Sequence, residues 1–199
     1  MLSVSYLNDA MEQVILVDHN DKELGLEEKL RAHQNGAKLH RAFSIFIFNS
    51  RGETMLQRRA ASKYHGGGLW SNTVCSHQRH GETTLEAAHR RLVEEMGFDC
   101  KMKEAFAFEY RTRMDKDLTE YEYDHVVFGT YDGEPDPNPA EVQDWKWMGL
   151  DELKEGLEKR PKEYTPWIRI CIEKVIRYCN EERKGPGDKE GRAGRSAEG

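Results

Sequence analysis

The chain has 199 residues, of which 37 % are hydrophobic and 33 % charged, and its formal net charge is −6. Without a basic excess to neutralise phosphates, nucleic acid is not expected as its main partner. No apolar run approaches the roughly 20 residues that cross a bilayer, and no N-terminal targeting pattern is visible. The four cysteines show no paired spacing, which favours free thiols. These features predict a cytoplasmic protein that does not contact membranes.

Short strands and a few helices are predicted along the chain. Apolar, β-branched and aromatic runs predict strands at residues 12–18, 42–48, 54–59, 70–77, 105–113, 119–131 and 145–148. Capping residues and apolar spacing predict helices at 83–96, 151–158 and from Thr165-Pro166 to about residue 183. Residues 27–33 are predicted to be helical or irregular. The order predicts one α+β or α/β domain over residues 1–183, a mixed sheet sandwich with flanking helices, and a disordered tail at 184–199.

A thiol and an imidazole stand two positions apart in Cys75-Ser76-His77, within a predicted strand. Side chains alternate between the two faces of a strand, so Cys75 and His77 are predicted to point into one pocket. A thiol can transfer a proton or attack as a nucleophile, and an imidazole can bind a metal or shuttle protons. The pair alone leaves open a protease-like nucleophile and a metal or proton-transfer site.

Further imidazoles and carboxylates could complete a metal site. Period two places Glu120 and Glu122 on one face of a predicted strand, although a solvated face is about as typical. His33 and His40 flank the loop before the strand at 42–48, and lone histidines are usually structural. Together with His77, the three imidazoles and two carboxylates would suit Mn²⁺, Zn²⁺ or Fe²⁺, and the nitrogen ligands disfavour Ca²⁺.

Two charged groups could bind a cation and a phosphate. The helix at 83–96 and the turn before it carry Glu82, Arg90, Arg91, Glu94 and Glu95, and a basic set comprises Lys29, Arg58, Arg59 and Lys63. Arginine and glutamate pairs at helical spacing commonly form weak surface salt bridges. Acids at one helix end can instead hold Mg²⁺ bridged to a phosphate, and basic residues nearby would suit a diphosphate.

The helix resembles the box of the Nudix family, G-x5-E-x7-R-E-U-x-E-E-x-G-U. Aligned from its end, the chain shows Ser76, Glu82, Arg90, Arg91, Leu92, Glu94, Glu95, Gly97 and Phe98. Ser76 replaces the first glycine, and Arg91 replaces the glutamate after the arginine. The resemblance implies a Nudix-type fold, while the two replacements disfavour a phosphohydrolase.

From about Val14 to Trp167, the chain is similar to type I isopentenyl-diphosphate isomerases, a Nudix-fold family. The matching residues are Lys29, Ala32-His33, Leu39-His40-Arg41-Ala42-Phe43-Ser44, Arg58-Arg59-Ala60, Lys63, Trp70-Ser71-Asn72-Thr73, Cys75-Ser76-His77, Tyr110-Arg111, Glu120-Tyr121-Glu122 and Thr165-Pro166-Trp167. Each match is weak alone, but their order and spacing are specific. The chain departs from the family at Gly66-Gly67, usually an aromatic residue and a proline, and at Gln78, usually a proline. These departures predict altered loop dynamics or affinity with the reaction retained.

The resemblance also implies a role for each site residue. One divalent ion, Mn²⁺, Zn²⁺ or Mg²⁺, would be bound by His33, His40, His77, Glu120 and Glu122. Cys75 would be the catalytic thiol and Glu122 the catalytic carboxylate, on opposite faces of the substrate, with Tyr110 beside the acid. Glu95 would hold Mg²⁺ with the substrate diphosphate, near the carbonyl oxygen of Cys75. Lys29, Arg59, Lys63 and Arg91 would bind the diphosphate, and Trp167 would cover the allylic portion.

The implied activity interconverts isopentenyl and dimethylallyl diphosphates in isoprenoid biosynthesis. The expected partner is a small prenyl diphosphate, and the chain is expected to be a monomer or a weak homodimer. Two alternatives are a Nudix pyrophosphohydrolase and a non-catalytic metal-binding module. The first gives no reason for Cys75 and the histidines, and the second leaves Cys75, Lys63 and Trp167 unexplained.

Overall fold

The computed structural model describes residues 12–184 except residues 35, 64, 115 and 116. The strands are β1 (Gln13–Val17), β2 (Glu23–Glu28), β3 (His40–Phe48), β4 (Glu53–Arg59), β5 (Trp70–Ser71), β6 (Val74–Ser76), β7 (Met102–Arg113), β8 (Thr119–Thr130) and β9 (Val142–Gly149). The α-helices are α1 (Lys29–His33), α2 (Thr84–Met96), α3 (Leu150–Lys159) and α4 (Pro166–Lys184), and a 3-10 turn spans Pro161–Glu163. The sequence predicts a disordered tail at 184–199, and residues 185–199 of it lie outside the described residues.

Strand β3 lies at the centre of the sheet. It pairs in parallel with β8 and antiparallel with β1, β4 and β6. Strand β7 extends the sheet beyond β8, and β9 pairs with β4. Among the described residues, nine strands thus join into one mixed sheet, which confirms the predicted sheet type.

The alternating side chains of β3 enter two hydrophobic clusters on opposite faces of the sheet. Ile45 and Ile47 pack with Leu92 of α2. Phe46 packs instead with the cluster that includes Leu153 of α3 and Ile168 of α4. The sheet is therefore covered by helices on both faces, which confirms the α+β class and explains why β3 is almost continuously apolar.

Helix α2 begins and ends where the sequence predicts. The Thr83 hydroxyl accepts a hydrogen bond from the backbone N–H of Glu86, and the Glu86 carboxylate accepts one from the N–H of Thr83, a complete capping box. Gly97 ends the helix with a φ of 74°, a left-handed conformation that favours glycine. These two ends fix the position of the buried Glu95 near the last turn.

The structure corrects the prediction in two places. The sequence prediction missed β2, which among the described strands pairs with β1 alone and carries mostly exposed or half-exposed side chains, so it lacks the apolar signal of a buried strand. The predicted strand at 70–77 is broken into β5 and β6. Asn72 donates to the carbonyls of Ile45 and Val74, and Thr73 donates to the carbonyl of Met55. Side chains therefore replace strand pairing at the break.

Candidate active site and metal centre

A cleft of about 620 Å³ collects most of the side chains singled out from the sequence. Of the thirteen to which the resemblance assigns a role, ten line it: Lys29, Arg59, Lys63, Cys75, His77, Arg91, Tyr110, Glu120, Glu122 and Trp167. The other three, His33, His40 and Glu95, are buried and contact residues that line the cleft. The shared pocket predicted for Cys75 and His77 is confirmed.

Strand register brings the centre of the site together. His40 stands opposite Glu122 in the parallel β3–β8 pair, and Tyr110 stands opposite Glu122 in the antiparallel β7–β8 pair. On the other side of β3, Ser44 stands opposite Cys75 of β6. Neighbouring strands lie about 4.8 Å apart, so three adjacent strands deliver the thiol, the carboxylate and an imidazole to one place.

Four side chains form a group that could hold a metal ion. The ligand atoms offered by His33, His40, His77 and Glu122 all lie within 4.8 Å of one another. Glu120 lies outside this group of four but contacts it, with its Oε2 atom 2.7 Å from His33 Nε2. Three imidazoles and one or two carboxylates suit a divalent transition metal.

The hydrogen bonds of His33 and His40 fit a metal site. Their Nδ1 atoms lie 2.6 Å and 2.8 Å from the carbonyl oxygens of Lys29 and Lys38. A carbonyl only accepts, so each Nδ1–H is the donor. Both Nε2 atoms are buried without a hydrogen bond, although carboxylate oxygens lie close by. Imidazoles held in this way direct the remaining nitrogen to a metal.

The carboxylates favour positive charge within the group. Burial alone would lower the pKa of His33, but the facing Glu120 raises it to about 9. His77 shows the opposite shift, because burial outweighs Glu122 and lowers its pKa to about 4. Burial would likewise raise the pKa of Glu120, yet His33 lowers it well below its usual range. A cation therefore suits this position electrostatically.

Cys75 is held as a neutral thiol. Its S–H donates to Asn72 Oδ1 at 2.9 Å, and the Ser44 hydroxyl lies 3.7 Å from the sulfur. Burial and the nearby Asp124 raise the pKa of the thiol to about 12. A thiol without a histidine partner is not activated for nucleophilic attack, so this geometry disfavours the protease-like alternative.

Glu122 contacts three other side chains of the site, Tyr110, His40 and His77. Tyr110 donates its hydroxyl proton to Oε2 at 2.5 Å, and His77 Nε2 lies 3.1 Å from Oε1. Burial and Glu120 would raise the pKa of Glu122, but the facing imidazoles of His40 and His77 lower it. One oxygen therefore faces the histidines while the other is held by Tyr110.

Elsewhere in the cleft, basic side chains are paired with acids from several elements. Lys29 Nζ donates to Glu12 at 3.0 Å, and Lys63 forms an ion pair with Glu141. Arg91 lies 2.5 Å from the buried Glu95 and 3.6 Å from Glu141, and these acids raise its pKa although burial would lower it. Gln57 donates to the second oxygen of Glu95 at 3.0 Å.

Trp167 forms an aromatic wall of the cleft. Its indole N–H donates to the Ser71 hydroxyl at 2.8 Å, which fixes the ring, and it is only 4 % exposed. The Arg59 guanidinium lies 5.2 Å from the ring centroid, a cation–π distance. The ring therefore offers an aromatic face that tolerates positive charge.

Four acidic or imidazole side chains at the site were missed from the sequence: Glu12, His65, Asp124 and Glu141. Asp124 continues the period of Glu120 and Glu122 along β8, a signal that could have been followed. His65 directly precedes Gly66-Gly67, where the chain departs from the family, and a lone histidine gives little signal by itself. Glu12 and Glu141 have no signal in the sequence, because contacts between distant elements place them.

No helix among the described residues is both long and apolar enough to cross a membrane. The structure pairs none of Cys75, Cys100 and Cys171 in a disulfide.

Residues 38–168 match the model of the NUDIX domain family. The chain is 56 % identical to isopentenyl-diphosphate Delta-isomerase 2 of Aromatoleum aromaticum, over 83 % of this chain and 87 % of that protein. It is 46 % identical to the isopentenyl-diphosphate Delta-isomerase of Pectobacterium atrosepticum, over 84 % and 93 % of the two chains.

Among solved structures, the protein DR0079 of Deinococcus radiodurans superposes with a TM-score of 0.69 at 19 % identity, covering 82 % of this chain and 98 % of that one. A MutT protein of Methanosarcina mazei superposes with a TM-score of 0.58 at 18 % identity, covering 73 % and 96 %. At these identities the structures show a shared fold alone. The family is shown by the sequence relatives and by the domain match: the chain belongs to the isopentenyl-diphosphate Delta-isomerase family, built on the NUDIX fold.

Proposed function

We propose that this chain interconverts isopentenyl diphosphate and dimethylallyl diphosphate, with Cys75 and Glu122 exchanging protons with the substrate. The observation that carries the proposal is the placement of a neutral thiol and an ionised carboxylate in one cleft, beside a group suited to a metal. This activity is the one named for the relatives that share about half of its residues.

The reaction moves a double bond, so one proton must be added at the terminal carbon and a different one removed from carbon two. Cys75 carries a proton and Glu122 does not, so the pair can supply one and accept the other. Tyr110 donates to Glu122 and holds the carboxylate in position. We assign the two groups to opposite faces of the substrate, which keeps the two transfers separate.

The histidine and glutamate group supports a divalent metal, for which we propose Mn²⁺, Zn²⁺ or Mg²⁺ with His33, His40, His77, Glu120 and Glu122 as ligands. Bound there, the ion would supply positive charge that tunes and orients the carboxylate of Glu122. Four of these residues are buried and His77 is half-buried, so they would hold the carboxylate at a fixed position relative to Cys75.

The basic end of the cleft supports binding of the diphosphate. We assign Lys29, Arg59, Lys63 and Arg91 to the phosphate oxygens. Glu95, with the carbonyl oxygen of Cys75, is assigned to a Mg²⁺ that arrives with the substrate. Anchoring the diphosphate would hold the hydrocarbon tail against the proton-transfer groups. Trp167 would cover the allylic carbons, where its π face stabilises developing positive charge.

One assay distinguishes this function from its alternatives. The purified chain is incubated with isopentenyl diphosphate, Mg²⁺ and Mn²⁺, and the products are followed by ¹H and ³¹P NMR. Formation of dimethylallyl diphosphate without release of phosphate supports the isomerase. Released phosphate would instead indicate a pyrophosphohydrolase, and an unchanged substrate a non-catalytic metal-binding module.

A further inference from the structure

His65 is a buried imidazole beside the proposed metal ligands. It lies between β4 and β5, is 8 % exposed, and lines the cleft. Its Nε2 atom is 2.9 Å from Oε1 of Glu120. The other oxygen of that carboxylate, Oε2, is 2.7 Å from His33. Glu120 is therefore held between two imidazoles, one on each oxygen.

The glycine-rich loop fixes the direction of His65. Gly66 has a φ of +58°, and a Cβ atom at Gly67 would lie 2.8 Å from the carbonyl oxygen of Ala61. A residue with a Cβ atom would therefore strain the backbone at Gly66 and collide with Ala61 at Gly67. Arg59 also donates to the carbonyl oxygen of His65 at 3.3 Å. The loop is thus packed closely against its own base, and the imidazole is directed inwards.

The ring of His65 also contacts the aromatic wall of the cleft. Its centroid lies 5.8 Å from that of Trp167 in an edge arrangement and 6.3 Å from that of His33. These contacts restrict the ring on two sides. The Nε2 atom is consequently directed at Glu120 by packing as well as by the hydrogen bond.

We propose that His65 is a positioning residue of the metal site, donating its Nε2–H to Oε1 of Glu120 so that Oε2 stays directed at the metal. This inference rests on the proposed function, because it takes Glu120 as a ligand. A carboxylate accepts and does not donate, so the imidazole must be the donor. Groups that orient a ligand in this way typically change metal affinity about 10–100-fold.

The test compares two substitutions at His65. His65→Phe keeps a ring against Trp167 but removes the donor, whereas His65→Gln keeps an N–H donor. The metal-free chains are titrated with Mn²⁺ alone, and free Mn²⁺ is measured by electron paramagnetic resonance. We expect Mn²⁺ affinity to fall about 10–100-fold in His65→Phe and to stay within about threefold in His65→Gln. If the His65→Phe chain does not fold, His65→Leu also removes the donor, and we expect the same loss of Mn²⁺ affinity.

His89→Phe is the matched control, since His89, on α2, pairs with Asp99 beyond the helix end and does not line the cleft. Unchanged affinity in His65→Phe would overturn the inference, and so would equal losses in the phenylalanine and glutamine variants. Failure of the proposed function looks different: the wild-type chain would then bind no Mn²⁺ or would leave isopentenyl diphosphate unchanged. In the isomerase assay, we expect His65→Phe to recover turnover as Mn²⁺ is raised.

Discussion

The two ends of the cleft are built in different ways. At the metal end, strand register places short side chains such as His40, His77 and Glu122 on or beside adjacent strands. At the proposed diphosphate end, long basic side chains such as Lys63 and Arg91 come from a loop and α2, and acids already neutralise them.

This difference indicates what each end can tolerate. A group on paired strands is held within narrow limits, as proton transfer and metal coordination require. A group of flexible ion pairs can rearrange when an anion enters, at the cost of separating existing partners. We therefore expect changes at the metal end to abolish the reaction, and changes at the diphosphate end to weaken substrate binding.

The largest effect is expected for the proton carriers. Cys75→Ala and Glu122→Gln should each lower kcat by at least about 10³-fold, because each removes a group that exchanges a proton with the substrate. Affinity for isopentenyl diphosphate, measured by calorimetry, should change by less than about threefold, since neither side chain is assigned to the phosphates. Near-native turnover of Cys75→Ala would contradict the proposed mechanism.

Next in size is the loss of a metal ligand. His40→Asn should reduce Mn²⁺ affinity by at least about 100-fold. This is more than is usually lost when a residue that only orients a metal ligand is removed. Lys63→Met should leave that affinity unchanged, because Lys63 pairs with Glu141 at the other end. Both are measured by electron paramagnetic resonance without substrate. If the two variants lost affinity equally, the ends of the cleft would not be separate.

A smaller effect is expected at the diphosphate end. Lys63→Met and Arg59→Met should raise KM about 10–100-fold, the range of a lost charge-assisted hydrogen bond, and change kcat by less than about threefold. Steady-state kinetics at saturating Mg²⁺ separates the two constants. Lys101→Met, which lies outside the cleft, is the control and should behave as wild type. A fall in kcat without a change in KM would place these residues in the chemical step instead.

The smallest effect is on stability. Burial alone would raise the pKa of Glu12, but Lys29 lowers it from 4.5 to about 2. A folded-state pKa below the unfolded value stabilises the fold above pH 4.5, and this contribution is lost as the pH falls towards 2. Partial exposure limits it to less than about 1 kcal/mol. Urea unfolding should show Glu12→Gln as slightly less stable at pH 7 and equal to wild type at pH 2; a difference that grows with acidity would contradict this assignment.

The sequence was most informative where local pattern determines structure. The caps at Thr83 and Gly97 set the ends of α2, and the alternation along β8 places Glu120 and Glu122 on one face. Order and spacing of matched residues then indicated the family, which the relatives confirmed. The roles assigned to the individual site residues stay proposals.

What the sequence did not predict depends on contacts between distant elements. Strand β2 is exposed and defined by its pairing with β1, so composition gives little sign of it. Glu141 reaches the cleft because β9 pairs with β4, and Lys63 follows β4. His65 faces Glu120 because two glycines allow a close loop. None of these positions follows from the spacing of residues along the chain.

The parallel pairing of β3 with β8 also has a consequence for how the protein forms. It joins segments that are far apart along the chain, as the Ser44–Asp124 hydrogen bond across 80 positions illustrates. Such pairings form slowly, because the entropy cost of closing a long loop must be met before any stabilising contact forms. A nascent chain that ends before β8 contains all three histidines of the metal group but neither carboxylate. High-affinity binding of the ion should therefore arise only after this closure, late in folding.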